Sequence, residues 1–200
     1  NKMITFQNIS KEKPYIELKK KYDDALSSKQ NLLEAILISS YSHETNEVDS
    51  RFVNLKFIDN KEFIFFTNLR SPKSSQFKSH DQISAVLYWS NINLQIRMKA
   101  KIKSVSKDYS NNYFKTRSKD KNALAISSNQ SMEISSYDDV QSNYDEVLAR
   151  NDLTVCPDYW GGFSFTPYYF EFWEGHTQRL NKREAYKLIN NMWIESILQP

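Results

Sequence analysis

Residues 92–105 read INLQIRMKAKIKSV, and every second position from Ile92 to Ile102 is apolar. Ile92, Leu94, Ile96, Met98, Ala100 and Ile102 alternate with Asn93, Gln95, Arg97, Lys99, Lys101 and Lys103. Successive side chains of a strand point to opposite faces, so this stretch is predicted to form a long strand with one buried and one wet face. A helix would scatter the same residues around its axis. The chain therefore needs paired strands on either side of this one and a core beneath it, the arrangement of an antiparallel sheet solvated on one face.

Other segments supply those neighbours. EAILISSYS (34–42) and ISAVLYW (83–89) are compact β-candidates. RFVNLKFI (51–58) sets Val53, Leu55 and Phe57 against Asn54 and Lys56, and KEFIFFTN follows after a hairpin-type DNK. FSFTPYYFEFW and, after a turn, EAYKLINNMWIESIL return the chain to strands near its C-terminus. Three segments are helical instead. PYIELKKKYDDALSS (14–28) opens on proline and spaces Ile16, Leu18, Tyr22 and Leu26 along one face. DYSNNYFKTRSKDKNALAISS (108–128) is polar, with Asp108 as its expected N-cap, and DDVQSNYDEVLARN (138–151) carries Val140, Tyr144, Val147 and Leu148. Five or six mostly antiparallel strands with short inserted helices predict a mainly β fold, a small barrel, in one domain over 1–200 with an N-terminal helical segment in 1–30. A half-open barrel is expected to pair with a second copy, and 12 Tyr, 12 Phe and 4 Trp suit a large interface.

Composition narrows the function classes. Twenty-seven basic and 24 acidic residues leave a net charge of +3, too balanced to imply nucleic-acid or membrane binding. No apolar run approaches a membrane span and no signal peptide is visible, although the first residue is Asn rather than Met. The single Cys156 forms no internal disulfide, and His43, His80 and His176 are far apart in sequence, so no metal site is expected and each histidine is read as an exposed loop residue. A soluble, cytoplasmic protein is the expectation. Only three glycines occur, Gly161, Gly162 and Gly175, so neither a Rossmann fingerprint nor a P-loop can be built. Any phosphate must be held by Arg, Lys, Ser and Thr side chains.

Six segments then occur in one order: RFVNLK (51–56), FFTNLRSPKSSQ (65–76), YFKTRSKD (113–120), NQS (129–131), YWGGF (159–163) and FWEGHTQRLNKR (172–183). Together they resemble the pyridoxamine 5′-phosphate oxidase family over residues 34–200. The resemblance implies an FMN-binding split β-barrel with short flanking helices, a homodimer with two shared active sites, and oxidation of pyridoxamine or pyridoxine 5′-phosphate to pyridoxal 5′-phosphate by O2. By position it assigns the FMN phosphate to Arg51 and Lys73, with Thr67 and Ser71 beside them, and adds Lys56 and Phe66 to the cofactor set. Gln95 matches a flavin hydrogen-bonding residue, Gln130 and Ser131 match contacts from the second subunit, and Trp173 and Arg183 match residues flanking the flavin ring. Lys56, Tyr113, Arg117 and Lys121 match the grip on the substrate phosphate. Arg179 lies over the substrate ring in the same scheme, and Asn181 stands at the companion catalytic position. Tyr113 and Arg117, four residues apart, would share a helix face.

The departures are specific. Asn181 replaces a histidine and cannot carry a proton charge near neutral pH. Pro72 replaces a basic residue of the phosphate loop, Lys121 replaces a serine, and the N-terminal Arg and Tyr that cover the family site have no match in residues 1–20. These leave open a second reading, a paralogue that binds FMN or pyridoxal phosphate without oxidising B6 vitamers. Trp160 is read as packing, and Arg97 and Lys99 as surface or interface charges.

Overall fold

The computed structural model describes residues 3–150 and 152–200; Asn151, the last letter of the second predicted polar helix, lies outside them with residues 1 and 2 of the N-terminal segment. Nine strands form one sheet: β1 (Thr5–Gln7), β2 (Ala35–Ser42), β3 (Glu47–Asp59), β4 (Glu62–Asn68), β5 (Gln82–Trp89), β6 (Leu94–Ser104), β7 (Trp160–Glu174), β8 (Lys182–Ile189) and β9 (Met192–Leu198). Six of them close a ring: β3 pairs β2, β2 pairs β5, β5 pairs β6, β6 pairs β7, β7 pairs β4, and β4 pairs β3. Every pairing in the ring is antiparallel, which needs only short connections. β8 and β9 extend the sheet beyond β7, and β1 joins β3 in parallel. This is the mainly β barrel expected, with more strands than expected: β1, unread in the sequence, adds one, and the C-terminal segment folds as a β8–β9 hairpin. Asn190 and Asn191 both take left-handed φ at its turn, where asparagine is tolerated.

The alternation in β6 holds from Leu94 to Ile102, but Ile92 lies in a 3₁₀ turn (Ser90–Ile92) ahead of the strand. Inside the ring, Phe63 stacks on Phe165 at 5.0 Å and Phe77 packs on Phe163 at 5.1 Å. Phe77 belongs to α2 (Pro72–Ser79), a helix absent from the sequence reading; Ser71 is its N-cap and Pro72 its first residue, where a missing N–H costs nothing. The N-terminal helix α1 (Lys13–Ser27) is present, but its buried face is Tyr15, Leu18, Tyr22 and Ala25. Ile16 and Leu26, expected on that face, are exposed, because the 3–4–3 spacing from Tyr15 captures the aromatic pair instead.

Two local corrections shape the site. A register shift between Leu55 and Phe57 breaks the alternation of β3, so Ile58 joins the core while Phe57 turns toward Phe66 and Tyr113, 6.4 and 5.2 Å away. The polar segment 108–128 forms two helices, α3 (Lys107–Thr116) and α4 (Lys119–Ser127). Ser106, not Asp108, caps α3 by accepting the Tyr109 N–H, and Asp108 sits in the first turn. α5 (Tyr137–Leu148) follows, and Val147 packs with Ala123 and Leu153 in a satellite core.

Candidate active site

A cavity of about 310 Å³ opens between β4, α4 and the start of β7, lined by Phe66, Thr67, Arg117, Lys121, Gln130 and Trp160 among others. Five of those six were singled out from the sequence. Its aromatic wall is layered: Phe66 stacks on Tyr113 at 4.2 Å and on Trp160 at 5.1 Å. Gly162, opposite Phe66 in the β4–β7 ladder, makes the layering possible, because a Cβ there would lie 2.9 Å from the Phe66 ring.

Arg117 completes the wall by a different route from the one expected. It is the C-cap of α3 with extended backbone, so it does not share a helical face with Tyr113. Its guanidinium lies 4.5 Å from the Trp160 ring centroid, a cation–π contact, and Nη2 donates to the Lys121 carbonyl at 3.2 Å. Its Nη1 is buried with no acceptor. Burial lowers the Arg117 pKa and raises that of Tyr113. Trp160, read from sequence as packing, is thus the platform for Arg117; its place just before a Gly-Gly pair was the available signal. Asn54 and Asn68 also line the cavity and were not singled out.

A second basic cluster adjoins the cavity through Gln130. Lys73 Nζ donates to Gln130 Oε1 at 2.8 Å and to Ser71 Oγ at 3.1 Å, and Thr67 Oγ1 donates to the same Gln130 oxygen at 3.0 Å. Gln130 therefore reaches Thr67 and Lys73 of its own chain. Burial, with the Arg51 charge nearby, pushes Lys73 down to about 8. Arg51 donates to Ser40 Oγ at 2.6 Å and Gln76 Oε1 at 3.0 Å, and pairs with Asp49 at 2.7 Å. No carboxylate among the described residues pairs with Lys73. Lys56 lies half-buried at the β3 register shift, beside Phe57. Ser131, exposed at φ 71°, lines a neighbouring cavity instead.

The remaining expected residues form a separate group on the outer face of β6, β7 and β8. Gln95, Trp173 and Arg183 stand in one cross-strand row. Arg179 and Asn181 lie in the following loop, where Asn181 Oδ1 accepts the His176 N–H at 3.0 Å and Arg179 takes a left-handed φ of 60°. None of these five lines the cavity. Arg97, read as a surface or interface charge, is 48% exposed at its side chain and pairs with the fully buried Glu171. His43 and His80 come together with rings 5.3 Å apart, each also against Tyr41.

A closed six-strand antiparallel ring with a basic side-chain cluster beside an aromatic cavity is the architecture of the split-barrel class. Two solved structures share the fold: PhzG from Burkholderia lata in complex with tetrahydrophenazine-1-carboxylic acid (TM-score 0.89, 24% identity, 94% of this chain and 93% of that one) and a pyridoxamine 5′-phosphate oxidase-related, FMN-binding protein from Nostoc punctiforme (TM-score 0.76, 12% identity, 91% and 96%). The family description "Pyridoxine 5′-phosphate oxidase C-terminal dimerisation region" matches residues 160–200. The chain is 32% identical to a pyridoxine/pyridoxamine 5′-phosphate oxidase of Rhodopirellula baltica over 97% of its own length and 90% of the relative's. It is 30% identical to that of Haemophilus influenzae over 100% and 95%. The chain belongs to the pyridoxine/pyridoxamine 5′-phosphate oxidase family.

Proposed function

We propose that this protein is an FMN-dependent oxidase that converts pyridoxamine or pyridoxine 5′-phosphate to pyridoxal 5′-phosphate, passing the electrons to O2 as H2O2. One observation carries the reading: two cationic sites flank one aromatic cavity, and each has a buried donor without an anion. Lys73 is a buried ammonium bonded only to neutral oxygens, and Arg117 has a buried Nη1 with no acceptor. A phosphate at either site would supply the missing charge.

The donor set fits FMN. Arg51, Lys73, Ser71 and Thr67 would hold its phosphate, with the Gln130 amide N–H groups as further donors. FMN supplies the hydride acceptor. Lys56, Arg117 and Lys121 would bind the substrate phosphate with the Tyr113 hydroxyl, and Phe66 and Tyr113 would hold a flat ring against the wall. Gln95, Trp173, Arg179 and Arg183, remote from the cavity in one chain, would complete the site of a second copy. The outer face supports such pairing: Phe52 is 71% and Tyr88 56% exposed there, and the matched dimerisation region includes β7, β8 and β9.

Asn181 favours a second reading, a binding paralogue without turnover, because its carbonyl oxygen is engaged by the His176 backbone and its amide does not titrate near neutral pH and so cannot serve as a general acid or base. Purified protein loaded with FMN and mixed anaerobically with pyridoxamine 5′-phosphate separates the two. Bleaching of the flavin absorbance is expected; bound FMN that stays oxidised supports the paralogue.

A further inference from the structure

Glu171 lies near the C-terminal end of β7 with its side chain 0% exposed, on a sheet face that also carries Gln95, Arg97, Trp173 and Arg183. Its carboxylate is spent entirely on two arginines. Oε1 accepts from Arg183 Nε at 2.6 Å and makes an ion-pair contact with Arg183 Nη2 at 2.5 Å, and Oε2 accepts from Arg97 Nη1 at 2.8 Å. The remaining terminal nitrogen of Arg183, Nη1, donates to the Gln199 backbone carbonyl at 2.8 Å. The guanidinium is thus held on three sides, and its plane is set before any ligand arrives.

Stability alone is a poor reason for this arrangement. Replacing a buried ion pair with apolar side chains of similar volume is often neutral for folding, so a sheet face needs no such carboxylate. Fixing an arginine is a better one. An unrestrained arginine side chain populates many rotamers, and ordering it on binding is unfavourable, whereas a fork already held in place binds without that loss. Three charges, two positive and one negative, also leave a net positive charge on the face that carries Trp173 and Gln95.

We propose that Glu171 is a positioning residue for Arg183, presetting the guanidinium that faces the electron-rich edge of a flavin ring held beside Trp173. The proposal rests on the flavin-binding reading above. It assigns Glu171 no contact with the ligand; the residue acts through Arg183.

Titration of the apoprotein with FMN, followed by quenching of flavin fluorescence, tests it on wild type, Glu171→Gln, Arg183→Lys and the double variant, with thermal melts of each apoprotein as the folding control. Glu171→Gln is expected to weaken FMN binding by about tenfold, as loss of a charge-assisted anchor does. The double variant should bind no more weakly than Arg183→Lys alone, because both changes remove one function. Unchanged affinity in Glu171→Gln, or losses that multiply in the double variant, would overturn the positioning role while leaving FMN binding intact. Wild type that binds no FMN would overturn the flavin reading itself, and this inference with it. If Glu171→Gln does not fold, Glu171→Asp replaces it in the same cycle: it keeps the charge but withdraws the carboxylate by one methylene, and the same non-additivity with Arg183→Lys is expected.

Discussion

Lys73 shows how a single side chain can report its ligand. It is buried, sits near Arg51, and donates only to Gln130 and Ser71, so its charged form is poorly supported and its pKa falls to about 8. The sign of the linkage follows. Below pH 8 the free protein already carries the charge, and a phosphate binds a ready ammonium. Above pH 8 the free amine is neutral, and binding an anion must take up a proton. FMN affinity is therefore expected to fall as pH rises through about 8, by up to roughly tenfold per unit until the amine of the complex also titrates. Lys73→Met should weaken binding and flatten that slope; affinities measured from pH 6 to 10 check both. In the proposed function, Trp160 would act on the other phosphate through Arg117. Trp160→Leu keeps an apolar wall but removes the platform under Arg117, a contact of about 1 kcal/mol, more when desolvated. The expected result is KM for the phosphorylated substrate raised by about fivefold, with FMN affinity unchanged. Loss of FMN affinity instead would show that Trp160 serves the cofactor side.

At the scale of elements, much of the barrel was legible because its signals are local. The alternation in β6 marked a strand with one core face, whereas the Asn190–Asn191 turn that splits the last segment into a hairpin was not read from the sequence. What escaped depended on partners elsewhere in the chain. The register shift at Leu55–Phe57 is invisible in RFVNLKFI, since only pairing with β4 reveals which residue is extra. The break between α3 and α4 falls at Arg117, whose contact with Trp160 comes from β7, 43 residues on. The site residues were named through motif order, which carries no information about which of them meet. Gln130 bonds Thr67 and Lys73 across more than 50 residues of sequence, a contact no spacing rule predicts. Gly162 joins strand geometry to the site in the same way. A Cβ at that position would lie 2.8 Å from Val105 Cγ2 and 2.9 Å from the Phe66 ring, so Gly162→Ala must displace both or shift the strand. Overpacking of this kind costs about 1–3 kcal/mol. A lower melting temperature is expected together with weaker substrate binding, because the Phe66–Tyr113 stack moves with the ring; a melt that drops without any change in binding would place the strain on Val105 instead.

At the scale of the whole molecule, the division of the proposed site residues into two groups is the strongest reason to expect two copies to share a site. The cavity side holds Arg51, Phe66, Thr67, Lys73, Tyr113, Arg117, Lys121 and Gln130, while Gln95, Trp173 and Arg183 stand in a row on the outer face of β6–β8. Phe52 shares that outer face through the ladder Phe52–Leu37–Val86–Arg97 and is 71% exposed. An exposed phenylalanine in the middle of a sheet face is costly in water and useful at an interface core. Phe52→Glu places a charge there without touching the barrel core. Sedimentation should show the dimer dissociating at micromolar concentration, while the melting curve of the apo-monomer retains a cooperative transition. FMN affinity should fall along with dimer content, since each bound cofactor would draw Gln95, Trp173 and Arg183 from the other copy. A monomer that binds FMN as tightly as the dimer would instead require all three residues to act outside the cofactor site.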